Sequence, residues 1–461
     1  METFILILNT LIFPTVFGYY LICLLDNNQP FPFSVKIAIG YGLGLGCLTQ
    51  WMLILCTLNI PLSFTVVISP LSILLMFVFI KIKCKKRILG PTDEQSQGLK
   101  LNFLSILLTT YILLCLVFIF WRTFNIPLST WDAFSYNGFV AKAIYFEKSL
   151  YYLPNMPHYE YPLHAPFMQV WASLCLGEWN DLFINIFFPF YLLFFLVFLF
   201  YFLIQFTSRT WALLGLALIV SSNLLVQHAS IAYRDIPLMY YVNISLLLLI
   251  LANKDDGSRK KLFLSGLMAG IATSVKLDAT GYIVVLTFIL LFMLFLNNST
   301  ATKQKIINFL LFTVPCYSIL LFFNIYKILV VEPKAPQITG EKLSFDLYSV
   351  KLKFGVEALT RFNTVVARIM DNLFLSGNWG IVWIIFFFSL VHLQKAEKSL
   401  EIRILLVALI AFFGLQIVGY TFTQYYYWIA DTHTSLSRHL LSQFPIVVAL
   451  IILLNGQKIQ P

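Results

Sequence analysis

The sequence predicts an all-α polytopic membrane protein, and three observations carry that reading. Apolar residues make up 59% of the chain and charged residues 11%, against roughly 25% charged in a soluble domain. The apolar residues gather into about thirteen stretches of the length that crosses a bilayer. Lysine and arginine collect in connections that an alternating path through the membrane puts on one face: Lys81 to Arg87, Lys254 to Lys261, Lys303 with Lys305, and Lys395 to Arg403.

The expected spans are Phe4–Leu25, Val35–Leu58, Leu62–Ile80, Leu101–Phe120, Leu182–Phe206, Trp211–Val226, Ile236–Ala252, Leu262–Val275, Tyr282–Leu296, Ile306–Val331, Ile381–Leu393, Ile404–Phe422 and Leu440–Leu454. METFILILNT holds Glu2 and no basic segment, so it reads as the first span and not as a cleaved signal. Basic loops face the cytoplasm, which sets the N-terminus outside and the C-terminus inside. They also account for the net charge of +10 without nucleic acid, for which the chain has no motif. The seven cysteines are scattered with no CxxC spacing, so no disulfide framework is expected. Residues 1–100, closed by the basic linker KIKCKKRILGPTDEQSQGLK, read as a three-span accessory bundle ahead of a membrane domain over 101–461.

Two outer segments exceed a tight turn, Trp121 to Asp181 and Glu332 to Asn378, and long loops commonly carry function. The first reads as two short interfacial helices around the proline-interrupted LPNMPHYEYPLHAP. The second carries Lys342, Lys351, Lys353, Arg361 and Arg368.

Sorting the rare polar groups by side leaves four clusters on the outer face: Trp131-Asp132, Tyr233-Arg234-Asp235, Lys276 with Asp278, and Arg438-His439. Ionisable groups at membrane depth are costly and turn toward a cavity or one another. A sunken wet pocket is therefore expected, suited to a lipid phosphate held by cations beside a carboxylate that acts on a hydroxyl. Each cluster also has a local explanation. Asp132 can cap a helix, Arg234 can pair with Asp235, Lys276 can snorkel to the interface, and Arg438-His439 can anchor there.

At these residues the sequence resembles the GT-C superfamily of polytopic glycosyltransferases, in the branch of dolichyl-phosphate-mannose-protein mannosyltransferases and bacterial aminoarabinose transferases. TWDAFSYNGFVAKAI matches the loop start with its catalytic acid at Asp132, and Glu160-Tyr161-Pro162-Leu163 matches the Tyr/Pro-rich element. Arg234-Asp235 matches the short outer turn, Gly266, Gly270 and Lys276 a G-x-x-x-G-x-x-x-x-x-K helix end, and Arg438, His439 and Pro445 the entry to a late helix.

The resemblance implies a GT-C helical bundle that inverts the anomeric carbon while moving a sugar from a polyprenyl-phosphate donor to a glycan, lipid or protein acceptor. It also implies a plasma-membrane, bacterial enzyme with its site on the outer or periplasmic side. Asp132 and Asp235 are the expected catalytic acids, and Arg234, Lys276 and Arg438 the phosphate ligands. His158, Glu160, Tyr161, His164 and His439 are expected to line the sugar or acceptor site. Tyr161 stands where aminoarabinose transferases carry a phosphate-contacting lysine, so that role falls to Lys276, Arg234, His158 or His164. No cofactor is required; a divalent ion at His158, Glu160 and His164 stays open. A transporter or flippase of lipid-linked saccharides is the competing class.

Overall fold

Described in the computed structural model are all residues but 1, 26–30, 87–101, 152, 154–155, 157–160, 256–257, 297–300, 329–355, 395–398, 424–425, 431–434 and 457–461, and all side chains of these but those of 2–8, 84–86, 356, 428 and 430. In chain order the helices are α1 (Glu2–Leu25), α2 (Phe33–Thr57), α3 (Phe64–Lys86), α4 (Phe103–Asn125), α5 (Phe139–Glu147), α6 (His164–Leu176), α7 (Phe187–Ile204), α8 (Arg209–Val220), α9 (Asn223–Ala229) and α10 (Asp235–Lys254). There follow α11 (Arg259–Val275), α12 (Ala279–Leu296), α13 (Thr302–Tyr326), α14 (Val356–Phe374), α15 (Val382–Ser389), α16 (Leu400–Phe422), α17 (Tyr426–Ala430), α18 (Leu436–Leu440) and α19 (Phe444–Gly456).

The described chain is a helical membrane protein. The described part of each expected stretch lies mainly on one helix or, for Trp211–Val226, on the α8–α9 pair, and among the described residues 8 helices are long and apolar enough to cross a bilayer, or up to 9 if the α8–α9 pair, bent by 75°, is one span. The remaining expected spans are shorter: the described part of α1 (Asn9–Leu25), α15 with its continuation to His392, and α19. α11 has 17 residues and opens on Arg259, Lys260 and Lys261. Much of α11 and nearly all of α19 is buried against other helices, and a helix sheltered by protein is free of the need to match the hydrocarbon thickness by itself.

α10 is the axis of the bundle, since its whole apolar window is buried, whereas α3 and α4 present most of theirs outward. Because lipid is as apolar as leucine, helices here associate through close packing and hydrogen bonds. The small residues show where. A Cβ on Gly44 of α2 would strike the Pro14 carbonyl of α1, and one on Gly266 of α11 would strike the Phe312 carbonyl of α13. Gly270, one turn on, faces the carbonyls of Pro315 and Cys316. The G-x-x-x-G pair thus brings α11 and α13 to backbone contact and fixes where the chain leaves α11, at Lys276.

Polar ties bind α2 to the centre. Tyr240 Oη donates to the Ala38 carbonyl at 2.5 Å, Tyr241 Oη to the Gly42 carbonyl at 2.8 Å, and Tyr41 Oη to the Phe187 carbonyl at 2.7 Å. Within the segment expected as an accessory bundle, α2 is thus tied to α10 and α7. In the first long loop, α5 leaves Phe139 and Phe146 exposed, as an interfacial helix would. α6 departs from expectation. Most of its residues are buried among α1, α2 and α5, because HAPFMQVWASLCL has no charged residue and its polar side chains, His164, Gln169 and Ser173, do not gather into a face for water.

Candidate functional site

At one end of the bundle α4 and α11 finish, α10, α12 and α19 begin, and the turns between them hold the charged residues picked out above. After α4 the chain enters a π-helical turn, Ala133–Gly138, that runs into α5. Asp132 stands at its head without capping it, since its side chain makes no cap hydrogen bond. Closing on the fifth residue, the wide turn brings Tyr136 and Asn137 round below Asp132. α18 is pinned over this end by Ser437, whose Oγ accepts from the Asn372 amide at 2.6 Å and the Asn378 amide at 3.0 Å. Gln416 of α16 donates to the His439 carbonyl at 2.9 Å.

So held, the side chains form a line of alternating charge. Arg438 Nη1 donates to Asp132 Oδ2 at 2.6 Å and Arg438 Nε to Asp235 Oδ2 at 3.0 Å. Lys276 Nζ donates to Asp235 Oδ1 at 3.1 Å and lies 3.0 Å from Asp278 Oδ2, which is 3.2 Å from His439 Nε2. His228 Nδ1 approaches Asp235 Oδ2 at 3.4 Å, Tyr420 bonds to His439 Nδ1, and the Tyr233 ring lies 4.5 Å from Arg438 Cζ. The carboxylates differ in depth: Asp235 is 1% exposed and Asp132 is 38% exposed. Asp235 is the floor of the site and Asp132 is open to whatever enters.

The electrostatics follow from this pairing. Burial works against the Lys276 ammonium, but Asp235 and Asp278 outweigh it and hold its pKa above the ordinary lysine value. Asp278, whose side chain is 37% exposed, is only partly buried, and that burial is outweighed by Lys276 and then His439, which keep its carboxyl well below the usual range. Arg438 is likewise raised, its burial overcome by Asp235 and Asp132. Two cations that the sequence suggests for a ligand are thus already spoken for by carboxylates.

Arg234 is different. It does not pair with its neighbour Asp235; its Nε donates to Asn137 Oδ1 at 2.7 Å, and Asn137 Nδ2 in turn donates to the Ala232 carbonyl at 2.9 Å. Its guanidinium carbon lies 4.2 Å from the Tyr136 ring centre and 5.4 Å from that of Tyr161. Both Nη atoms are buried with no hydrogen-bond partner among the described residues. Leaving charged donors unmatched costs more than the ~1–3 kcal/mol of a neutral group, and two aromatic faces return only about 1–2 kcal/mol. A forked pair of donors in this condition favours an oxyanion that offers two oxygens.

Asp132, Asp235, Lys276, Arg438 and His439 therefore converge, with Arg234 and Tyr161 beside them. His164 does not join them. Its Nδ1 contacts Thr49 Oγ1 at 2.8 Å and its Nε2 contacts Tyr191 Oη at 2.9 Å, inside the core. Burial, helped by the Arg234 charge, lowers its pKa to about 3, so the ring is neutral. Its position is therefore apart from the converging residues, because the partners that claim it lie on α2 and α7. His158 and Glu160 lie outside the described residues, as do Lys342, Lys351 and Lys353. Arg361 and Arg368 pair on their own helix, with Glu357 at 3.1 Å and Asp371 at 3.7 Å. His228, Asn137 and Tyr136 were not singled out in the sequence. A sign was present for His228, which stands just past the expected span Trp211–Val226, at the same outer end as Arg234. No family model, curated protein or solved structure matches the chain.

Proposed function

We propose that the chain is an inverting glycosyltransferase of the GT-C type that moves a sugar from a polyprenyl-phosphate donor to an acceptor hydroxyl. The observation that carries the reading is the occurrence at one end of the bundle of an accessible carboxylate, Asp132, and a caged guanidinium, Arg234, whose Nη donors are unmatched among the described residues. In this reading the donor phosphate takes both Nη atoms of Arg234. Asp132 removes the acceptor proton, the acceptor oxygen attacks the anomeric carbon opposite the phosphate, and the carbon–oxygen bond to phosphate breaks. Its electron pair leaves on polyprenyl phosphate, where Arg234 offsets the growing charge.

Lys276 and Arg438, engaged with Asp235, position the carboxylates and do not hold the donor. Asp235 is a positioning residue by the same logic. Tyr161 and His439 are left as neighbours for the sugar or acceptor. Exposed Trp131 and Phe134 beside Asp132 suit a site reached from the headgroup level of the bilayer. In this reading the chain crosses the bilayer about thirteen times with its basic end cytoplasmic, and the site opens on the outer face of a plasma membrane, bacterial as the resemblance implies. The test is mass spectrometry of envelope glycans and lipid-linked saccharides from cells lacking the gene. A missing sugar substituent with its polyprenyl-phosphate donor accumulated is expected. Complete glycans, with saccharide-lipids redistributed between leaflets, would instead indicate a transporter.

A further inference from the structure

Far from the charged site, a cleft of about 610 Å³ opens between α2, α4, α7 and α8. Its walls are apolar over the stretch of α7 from Leu193 to Ile204, about 16 Å at 1.5 Å per residue. That is close to half of the roughly 30 Å hydrocarbon core, the depth of one leaflet. The cleft begins at the basic end of the bundle, where α2 and α8 start and α7 stops, and there it meets Arg209.

Arg209 is exposed and is the first residue of α8, where a cation opposes the helix dipole. Its place is therefore not explained by the helix it opens. One residue beyond Ile204, the Gln205 carbonyl accepts from Lys254 Nζ at 3.1 Å, so a second cation stands on the same rim. We propose that the cleft holds one acyl chain of an anionic phospholipid from the leaflet at the basic end, with its headgroup phosphate at Arg209. Depth selects a single-leaflet chain, and Arg209 at the cleft mouth selects an anionic headgroup, Lys254 being held at the Gln205 carbonyl.

The test is native mass spectrometry of the full-length protein in detergent, titrated with phosphatidylglycerol or phosphatidylcholine of the same chains. One phosphatidylglycerol retained about fivefold more tightly is expected from a single interfacial cation. Arg209→Gln, at an exposed position, should reduce that lipid to the level of phosphatidylcholine. Val197→Trp, filling the cleft, should abolish retention of both lipids while circular dichroism reports an intact helical fold. Equal retention of the two lipids by the unaltered protein would overturn the proposal. So would an Arg209→Gln protein that keeps the preference, a folded Val197→Trp protein that keeps its lipid, or occupancy by detergent alone.

Discussion

Asp132→Asn should separate catalysis from folding. Asp132 Oδ2 lies 2.6 Å from Arg438 Nη1, yet its side chain is 38% exposed, and pairs open to solvent contribute about 0–1 kcal/mol. Arg438 keeps Asp235 at 3.0 Å and the Tyr233 ring after the change, so no buried charge is stranded. The cost to stability should be at most about 1 kcal/mol, while removal of the base should slow transfer by about 10²–10⁴-fold. Asp235→Asn should behave the other way. It removes the fully buried carboxylate that faces Lys276 at 3.1 Å and Arg438 at 3.0 Å, and breaking such a pair from one side costs about 3–5 kcal/mol. Both variants can be reconstituted in liposomes with a panel of polyprenyl-phosphate sugars, following release of polyprenyl phosphate by chromatography and mass spectrometry, with thermal unfolding read by tryptophan fluorescence. A folded Asp132→Asn protein that releases polyprenyl phosphate within threefold of the unaltered rate would refute the assignment of the base.

Three more outcomes are expected. Arg234→Gln should weaken donor binding by roughly ten- to a hundredfold, the loss of charge-assisted hydrogen bonds. Arg234→Lys should not restore it, because an ammonium lacks the fork; titration calorimetry with polyprenyl phosphate reads both. Gly266→Val should force α11 off the Phe312 carbonyl, lowering the unfolding temperature and displacing Lys276, which a crosslink between α11 and α13 can report. The stabilising charge of Asp278, whose pKa is depressed from 3.8, is present above about pH 4 and lost only as pH falls through its lower folded value. That of Lys276, raised from 10.5, is present below about pH 10 and lost as pH rises through its higher one. Unfolding temperature should therefore hold steady between about pH 5 and pH 9 as far as these two groups decide it, checked by fluorescence melts across that range.

Hydropathy makes the helices legible because an apolar run of bilayer length has few other places to go. It is blind to α6, whose 13 residues are too few to cross and which only the surrounding bundle makes a core element. The meeting of Asp132, Asp235, Lys276 and Arg438 was legible from sidedness alone. Their partners were not. Arg234 and Asp235 are adjacent in the chain, but at a helix entry successive side chains point about 100° apart, so one turns to Asn137 and the other to Lys276. His164 reads as a site residue because it directly follows the Glu160-Tyr161-Pro162-Leu163 element, and the hydroxyl that satisfies it, on Thr49, is 115 positions away.

The shared carboxylate of Asp235 also bears on how such a chain can diverge. With a lysine and an arginine both leaning on one buried acid, a lone sign change at 235, 276 or 438 would strand a partner, so drift there is confined to matched exchanges. Wetter positions around Asp132 carry no such debt, and new acceptors could be explored at the rim while the floor stands still.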